Sequence, residues 1–357
     1  ILEVNGDIFH NLHLFANPID KFRPSDKEIK RALKKKKGSN LIYFGPGVHN
    51  LPNDTLFVPS GTTVYIDGGT RVYGNIFTEG AHDVNIFGRG EVHPDGRGAG
   101  VWVRRSKNVR IDGIVVSQLP IGQCDSVELT NVKSISYYGW GDGMDVFSSS
   151  NVILDGVFCR NSDDCTAVYA STQGFKGGSN NVLVKNATLW ADVAHPINIG
   201  GHGDPNGMDT VQNVTFRNID ILDQAEKQID YQGCLTINPG DNTLVRNITF
   251  ENIRIEDFRN GQLVNFRISF NPKYCVSTGR GIHNVLVKDV TYNGSGENLS
   301  IIAGYDENHK ISGIRFVNLV VNGRKITDDM PGKPKWYKTG DMAGIFIGEH
   351  VENISFE

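Results

Sequence analysis

Short runs in which aliphatic and polar residues alternate recur along this chain from Val84 to Ile354. The clearest copies read Val182-Leu-Val-Lys-Asn186-Ala-Thr-Leu189 and Val214-Thr-Phe-Arg-Asn218-Ile-Asp-Ile221. They continue as Ile248-Thr-Phe-Glu-Asn252-Ile-Arg-Ile255, Val285-Leu-Val-Lys-Asp289-Val-Thr-Tyr292 and Ile314-Arg-Phe-Val-Asn318-Leu-Val-Val321. Each is a period-2 strand, then Asn or Asp, then a second short strand, and the alternation puts the aliphatics on one face. Asn and Asp tolerate the left-handed conformation, so the fifth position predicts a tight bend between the two strands. Earlier copies are shorter, at Val109-Arg-Ile-Asp112-Gly113-Ile114 and Val152-Ile-Leu-Asp155-Gly156-Val157. Fainter ones begin near Val84 and Val132.

Copies recurring every 20 to 40 or so residues mean a solenoid. Strands this short and β-branched, with no helical pattern between them, predict an all-β chain, a single-stranded parallel β-helix. Its coils should be right-handed, as parallel crossovers almost always are, and about 4.8 Å apart. Residues 1–24 lack the repeat and are expected to be a linker or the remnant of a preceding domain, with residues 25–357 forming the β-helix. Leu12 to Pro18 has the look of a last strand followed by a linker. Ser25-Asp-Lys-Glu28 is a capping-box pattern opening a short helix that ends by Gly38, with the run Lys34 to Lys37 suited to its C-terminal dipole. This helix should cap the open end of the stack.

Composition narrows the class. Of 357 residues, 39% are hydrophobic and 21% charged, and glycine is frequent at 41 residues, which suits a turn-rich β protein. A formal net charge of −4 gives no sign of nucleic-acid binding. The five cysteines are odd in number and irregular in spacing. They match no zinc pattern and read as small buried apolar residues, with a Cys159–Cys165 bridge left open. No run of 18 apolar residues predicts a membrane span, and no signal peptide opens the sequence. Beginning at Ile1 and ending on Ser355-Phe356-Glu357, the sequence is expected to be part of a longer, exported protein. The Asn-x-Ser/Thr sites at Asn186, Asn213 and Asn247 fall in predicted strands and are discounted as glycosylation signals.

Candidate chemistry concentrates in acids. Asp142 lies in Trp140-Gly-Asp-Gly-Met-Asp145, and Asp163-Asp164 follows 21 residues later, about one coil on. Neighbours on a regular strand face opposite ways, so both acids reach solvent only where the strand bends. Clustered carboxylates repel and split their pKa values, as acid/base hydrolysis of a sugar–sugar bond requires. His195, in Ala194-His-Pro-Ile-Asn198-Ile-Gly200, lies about one coil further and could hydrogen-bond a catalytic acid or a sugar hydroxyl. A metal reading of His202, Asp204 and Asp209 matches no standard spacing. Arg267 alternates with apolar neighbours, so it leaves the solvent face, either as a salt bridge or as a substrate clamp.

At these residues the chain resembles the polygalacturonase (pectinase) family of glycoside hydrolases, family 28. That family carries Asn-Thr-Asp-Gly, Gly-Asp-Asp, Gly-His-Gly and Arg-Ile-Lys segments in this order. Gly141-Asp142-Gly143, Ser162-Asp163-Asp164, Ala194-His195-Pro196 and Phe266-Arg267-Ile268-Ser269 resemble them in turn. The resemblance covers roughly residues 40 to 325. It implies a right-handed, pectin lyase-like β-helix, no metal or cofactor, and inverting hydrolysis. Asp163 would be the general acid, Asp142 and Asp164 the water-activating bases, His195 their tuner, and Arg267 a substrate clamp. The segment Leu14 to Pro18 also resembles the junction after an N-terminal β-sandwich in dextranases and isopullulanases, which implies an additional N-terminal domain.

The chain departs from the pattern at three places. Ser269 stands where the family has the lysine that helps hold a uronate carboxylate, which favours a neutral or differently charged glycan. Trp140-Gly141 replaces Asn-Thr and offers an aromatic platform for a sugar ring; proline follows His195. Asn198 and Asp145 are further candidates for substrate contact. The expected partner is a poly- or oligosaccharide, pectic or related, met outside the cell (secreted, periplasmic or at the cell surface). Alternatives are a dextranase-like hydrolase of a neutral α-glucan, a polysaccharide lyase using Arg267 as base, and a non-catalytic glycan-binding solenoid.

Overall fold

The computed structural model describes residues 1–34, 38–295 and 297–357. The alternating runs form parallel strands stacked coil upon coil, a parallel β-helix. One inward column consists of Val84, Val109, Val127, Val152, Val182, Val214, Ile248, Val285, Ile314 and Ile354, each opposite the next. All but Ile354 are essentially inaccessible, so the core is a continuous aliphatic rod. Phenylalanines extend it: Phe216 and Phe250 stack at 5.8 Å, and Phe316 and Phe356 at 4.7 Å. This register corrects one boundary. The faint copy expected near Val132 begins at Val127, so the coil from Val109 to Val127 is only 18 residues long. Its weak hydrophobic signal comes from Glu128 and Thr130 flanking Leu129.

The bends behave as their residue types require. Asn186, Asn218, Asn252, Asp289 and Asn318 all have φ between 53° and 56°, and in the shorter copies Gly113 and Gly156 take the same position with φ of 84° and 66°. The side chains add a device that the repeat alone did not reveal. Asn186 donates to Asp155, Asn218 to Asn186 and Asn252 to Asn218, forming a ladder up the outside of the stack. A second ladder uses Asn213, Asn247 and Asn284, which lie within the strands Thr210–Gln224, Leu244–Ile255 and Gly281–Tyr292 and also have positive φ. There Asn247 donates to Asn213 and Asn284 to Asn247. Asn186, Asn213 and Asn247 therefore mark bends within the strands.

Residues 1–24 form a hairpin of Leu2–Val4 and Asp7–Leu12 and then a strap lying against the stack. Arg160 donates to the Ile8 carbonyl and to Asn11, Phe15 packs edge-on to Phe158, Asp20 accepts from Tyr65, and Phe22 stacks on Phe87 at 4.3 Å. The helix Asp26–Leu33 has the predicted capping box between Ser25 and Glu28 and packs on Leu41–Phe44, the first strand of the stack. Lys34 closes it; Lys35, Lys36 and Lys37 lie outside the described residues. None of the five cysteines is paired among the described residues, and all but Cys275 are buried. Among the described residues no helix is long and apolar enough to cross a membrane.

Candidate active site

The site lies on the outer face of one sheet, over Val146–Phe147, Thr166–Tyr169, Ile197–Ile199 and Leu235–Ile237, which pair in that order. Loops entering and leaving these strands wall a cleft of about 430 Å³. Asp142 is held in it by close approach. A Cβ on Gly143 would collide with the Cys165 carbonyl, and one on Gly141 with Ser162 and the Tyr138 carbonyl. With glycines on both sides, Gly143 N–H reaches the Asp164 carbonyl at 2.7 Å and Asn161 donates to the Asp142 carbonyl at 3.2 Å.

The three expected acids converge: one carboxylate oxygen each from Asp142, Asp163 and Asp164 lies within 4.8 Å of the others. Their environments separate them. Asp164 is buried, which by itself would raise its pKa, but the His195 ring and donors from His195, Asn198 and Tyr169 outweigh burial and lower it. Its Oδ1 faces His195 Nδ1 at 2.6 Å and accepts the His195 backbone N–H at 3.1 Å; its Oδ2 accepts from the Tyr169 hydroxyl at 2.7 Å and from Asn198 at 2.8 Å. Among the described residues the Asp163 carboxylate has a single hydrogen bond, from the Asp164 N–H at 3.0 Å. Burial and the neighbouring Asp164 charge push it up to about 7. Asp142 and Asp145 are raised well above the carboxylate range, again by burial and then by their acidic neighbours. The cluster thus pairs an ionised carboxylate with protonated ones, the split that acid/base chemistry needs.

The other expected residues take distinct places. Asn198 lines the cleft, Asp145 forms its floor and accepts the Ala167 N–H at 3.2 Å, and Trp140 stands at the mouth, 74% exposed. Arg267 leaves the solvent face as predicted but stands behind the cleft lining, with Nη2 2.6 Å from Asp230. His202 does not join Asp204 and Asp209. Asp209 accepts the Ser171 and Asp204 N–H groups and staples its loop, while His202 groups with Asp241 and Cys275, one ligand atom each within 4.8 Å. That set and the aspartate trio are the two places among the described residues where a cation could sit. Sequence reasoning missed Tyr169, Glu226, Asp230 and Tyr231. Tyr169 was readable as the end of the strand after the acid pair; the other three sit in an irregular stretch between Gln224 and Leu235 that carries no pattern.

Residues 101–331 match glycosyl hydrolases family 28, and the chain belongs to that family. It is 24% identical over 295 residues to a probable endopolygalacturonase D of Neosartorya fischeri, covering 70% of this chain and 57% of that protein. It is 27% identical over 219 residues to a polygalacturonase of Juniperus ashei, covering 58% of this chain and 39% of that one. The chain thus spans about half the length of these relatives. Among solved structures it superposes on a family 28 exopolygalacturonase of Yersinia enterocolitica with a TM-score of 0.68 at 13% identity, over 88% of this chain and 72% of that one. The fold is the expected right-handed parallel β-helix.

Proposed function

We propose that this chain hydrolyses O-glycosidic bonds in a pectic polysaccharide by single displacement with inversion. The observation that carries the reading is the split aspartate cluster, one carboxylate tied by four donors beside another held protonated near neutral pH. Asp163, with most of its oxygen lone pairs free, donates its proton to the leaving oxygen. Asp164, the ionised carboxylate, takes the proton of the attacking water as the water's oxygen bonds the anomeric carbon, Asp142 helps hold that water, and His195 positions Asp164 rather than touching the sugar bond. Asp164 is an unsuitable nucleophile because attack would strip its donors. Trp140 offers its face to a sugar ring, and Asn198 a polar contact. Family membership supports glycoside hydrolysis, and the polymeric substrate supports action outside the cell.

One oxygen of each carboxyl lies within 4.8 Å of the others, short of the roughly 6.5–9.5 Å between acid and base usual for inverting pairs and nearer the about 5–5.5 Å of retaining ones, so stereochemistry is the critical test. Proton NMR of the first-formed product should show the inverted anomer; the retained anomer would refute single displacement. Asp163→Asn should remove reducing-sugar release while leaving the fold intact. A lyase reading needs a basic residue beside the substrate, and no lysine or arginine lines the cleft among the described residues.

A further inference from the structure

We infer that His202, Asp241 and Cys275 form a binding site for a divalent cation of the zinc class, which cross-links three loops of the cleft wall. One ligand atom from each residue lies within 4.8 Å of the others. The site shares no residue with the aspartate cluster and does not depend on the hydrolase reading. Its ligands come from successive coils. The strands Ile197–Ile199, Leu235–Ile237 and Val264–Arg267 pair in that order, and His202, Asp241 and Cys275 each lie on the loop leaving one of them. His202 and Cys275 line the cleft, while Asp241 is buried behind them.

Backbone contacts hold the three loops in place. The Gly240 N–H donates to the Gly200 carbonyl at 3.0 Å, the Asp241 N–H to the Ser277 carbonyl at 2.9 Å and the Cys275 N–H to the Asn271 carbonyl at 2.9 Å. The Thr243 hydroxyl donates to the His202 carbonyl at 3.2 Å. Two glycines permit this closeness: a Cβ on Gly240 would lie 2.3 Å from Cys275 Sγ, and one on Gly203 2.0 Å from Thr243 Oγ1. The ligands are therefore positioned before an ion arrives, and binding costs little ordering. The Asp241 carboxylate is also oriented, its Oδ1 accepting the Val276 and Ser277 N–H groups at 2.7 and 3.2 Å. Such outer bonds fix a ligating carboxylate.

The donor set selects the ion. Among the described residues neither ring nitrogen of His202 has a hydrogen-bond partner, and its ring is fixed edge-on to Tyr169 at 5.1 Å and 87°. The buried Ser277 hydroxyl, beside the same carboxylate, also lacks a partner. Imidazole, thiolate and carboxylate together suit zinc, whereas calcium and magnesium want oxygen ligands alone. On binding, the Cys275 thiol gives its proton to solvent and its hydrogen bond to the Gly201 carbonyl, 3.3 Å, is replaced by the metal–sulfur bond. Three protein ligands leave one tetrahedral position for a water from the cleft. The aspartate trio is the poorer zinc site, because it has no soft ligand and both Asp164 oxygens already accept hydrogen bonds.

The test uses the chain stripped with a chelator and reduced. Zinc ion alone is titrated calorimetrically in two buffers of different ionisation heat, and cobalt(II) is followed by absorption. The expected result is one ion per chain with a Kd of about 1 μM or tighter, release of about one proton, and a thiolate-to-cobalt charge-transfer band. Loss of an outer-shell partner alone weakens a metal site about 10–100-fold, so losing a ligand in His202→Ala or Cys275→Ser should weaken zinc binding at least about 100-fold. Cys275→Ser should also remove the cobalt band, while Asp163→Asn, in the other acid cluster, should leave both readouts unchanged. Zinc should raise the Tm of the parent and not of Cys275→Ser. Binding weaker than about 100 μM, binding that survives Cys275→Ser, or binding lost in Asp163→Asn would overturn the site. So would zinc being displaced by an equal concentration of calcium. Should a variant fail to fold, the parent decides alone: a cobalt complex without the thiolate band would overturn the assignment.

Discussion

Tyr169→Phe isolates one of the four hydrogen bonds that hold Asp164 ionised. The ring stays, with its stacking on Phe147 at 5.8 Å and 10°; the hydroxyl's donation to Oδ2 at 2.7 Å is lost, together with its acceptance of an Asn198 amide hydrogen at 2.8 Å. A hydrogen bond to a charged group contributes about 1.5–3 kcal/mol; with Asn198 still donating to the same oxygen, a net loss of about 1.5 kcal/mol follows. The loss falls on the ionised form, so it raises the Asp164 pKa, and 1.36 kcal/mol corresponds to about one pH unit. In the parent Asp164 is depressed, so its contribution to stability is present above the unfolded-state value and is lost as pH falls through the folded-state value. In the variant that loss begins at higher pH. The acid limb of the kcat/KM profile should therefore move up by about one pH unit, while the alkaline limb, set by Asp163 at about 7, stays in place. Urea titration should show the full stability loss at pH 7 and less of it on acidification. An unmoved acid limb, or movement of the alkaline limb alone, would refute the role assigned to Tyr169 and Asp164.

Other perturbations probe the rest of the design. Asp163 is raised in the folded state, so its ionisation opposes folding increasingly as pH climbs from the unfolded-state value toward 7; Asp163→Asn should stabilise the protein at pH 7 by about 1–3 kcal/mol while abolishing turnover, as denaturant titration can measure. Asn218→Ala should cost about 2 kcal/mol, from two ladder hydrogen bonds and a φ of 56°, and Asn218→Gly about 1 kcal/mol less because glycine accepts that φ; equal losses would remove backbone strain from the account. A Cβ at Gly122 would collide with the buried Phe175 ring, so Gly122→Ala should loosen the loop that carries Thr172 and Gln173 into the cleft wall. Faster proteolysis at Lys176 and a raised KM with little change in kcat are the expected readouts.

What the sequence determined follows from period and residue type. Alternation of aliphatics at Val182, Val214, Ile248, Val285 and Ile314 can bury one face only by stacking, so coil repeat and core were legible before any coordinates. Asn or Asp at a fixed offset from each strand marked the bends because few other residues accept positive φ. The capping box at Ser25 is local chemistry and was equally readable. Within the site, Asp142, Asp163, Asp164 and His195 could be brought together because the coil length converts sequence spacing into neighbouring height on one face.

The remainder depends on contacts between coils that no spacing encodes. The start of the weak copy at Val127 is set by pairing with Val109 and Val152 on either side. The convergence of Asn198 and Tyr169 on Asp164 requires the turn geometry after Asp163, and Arg267 meets Asp230 across 37 residues of chain. The irregular stretch that carries Glu226 and Asp230 has no periodicity to read, because its position is fixed by packing over the sheet rather than by its own pattern. Tertiary structure alone therefore decided that Glu226 and Asp230 join the cleft and which acid is held ionised, since burial and charge–charge distance exist only once the coils are stacked.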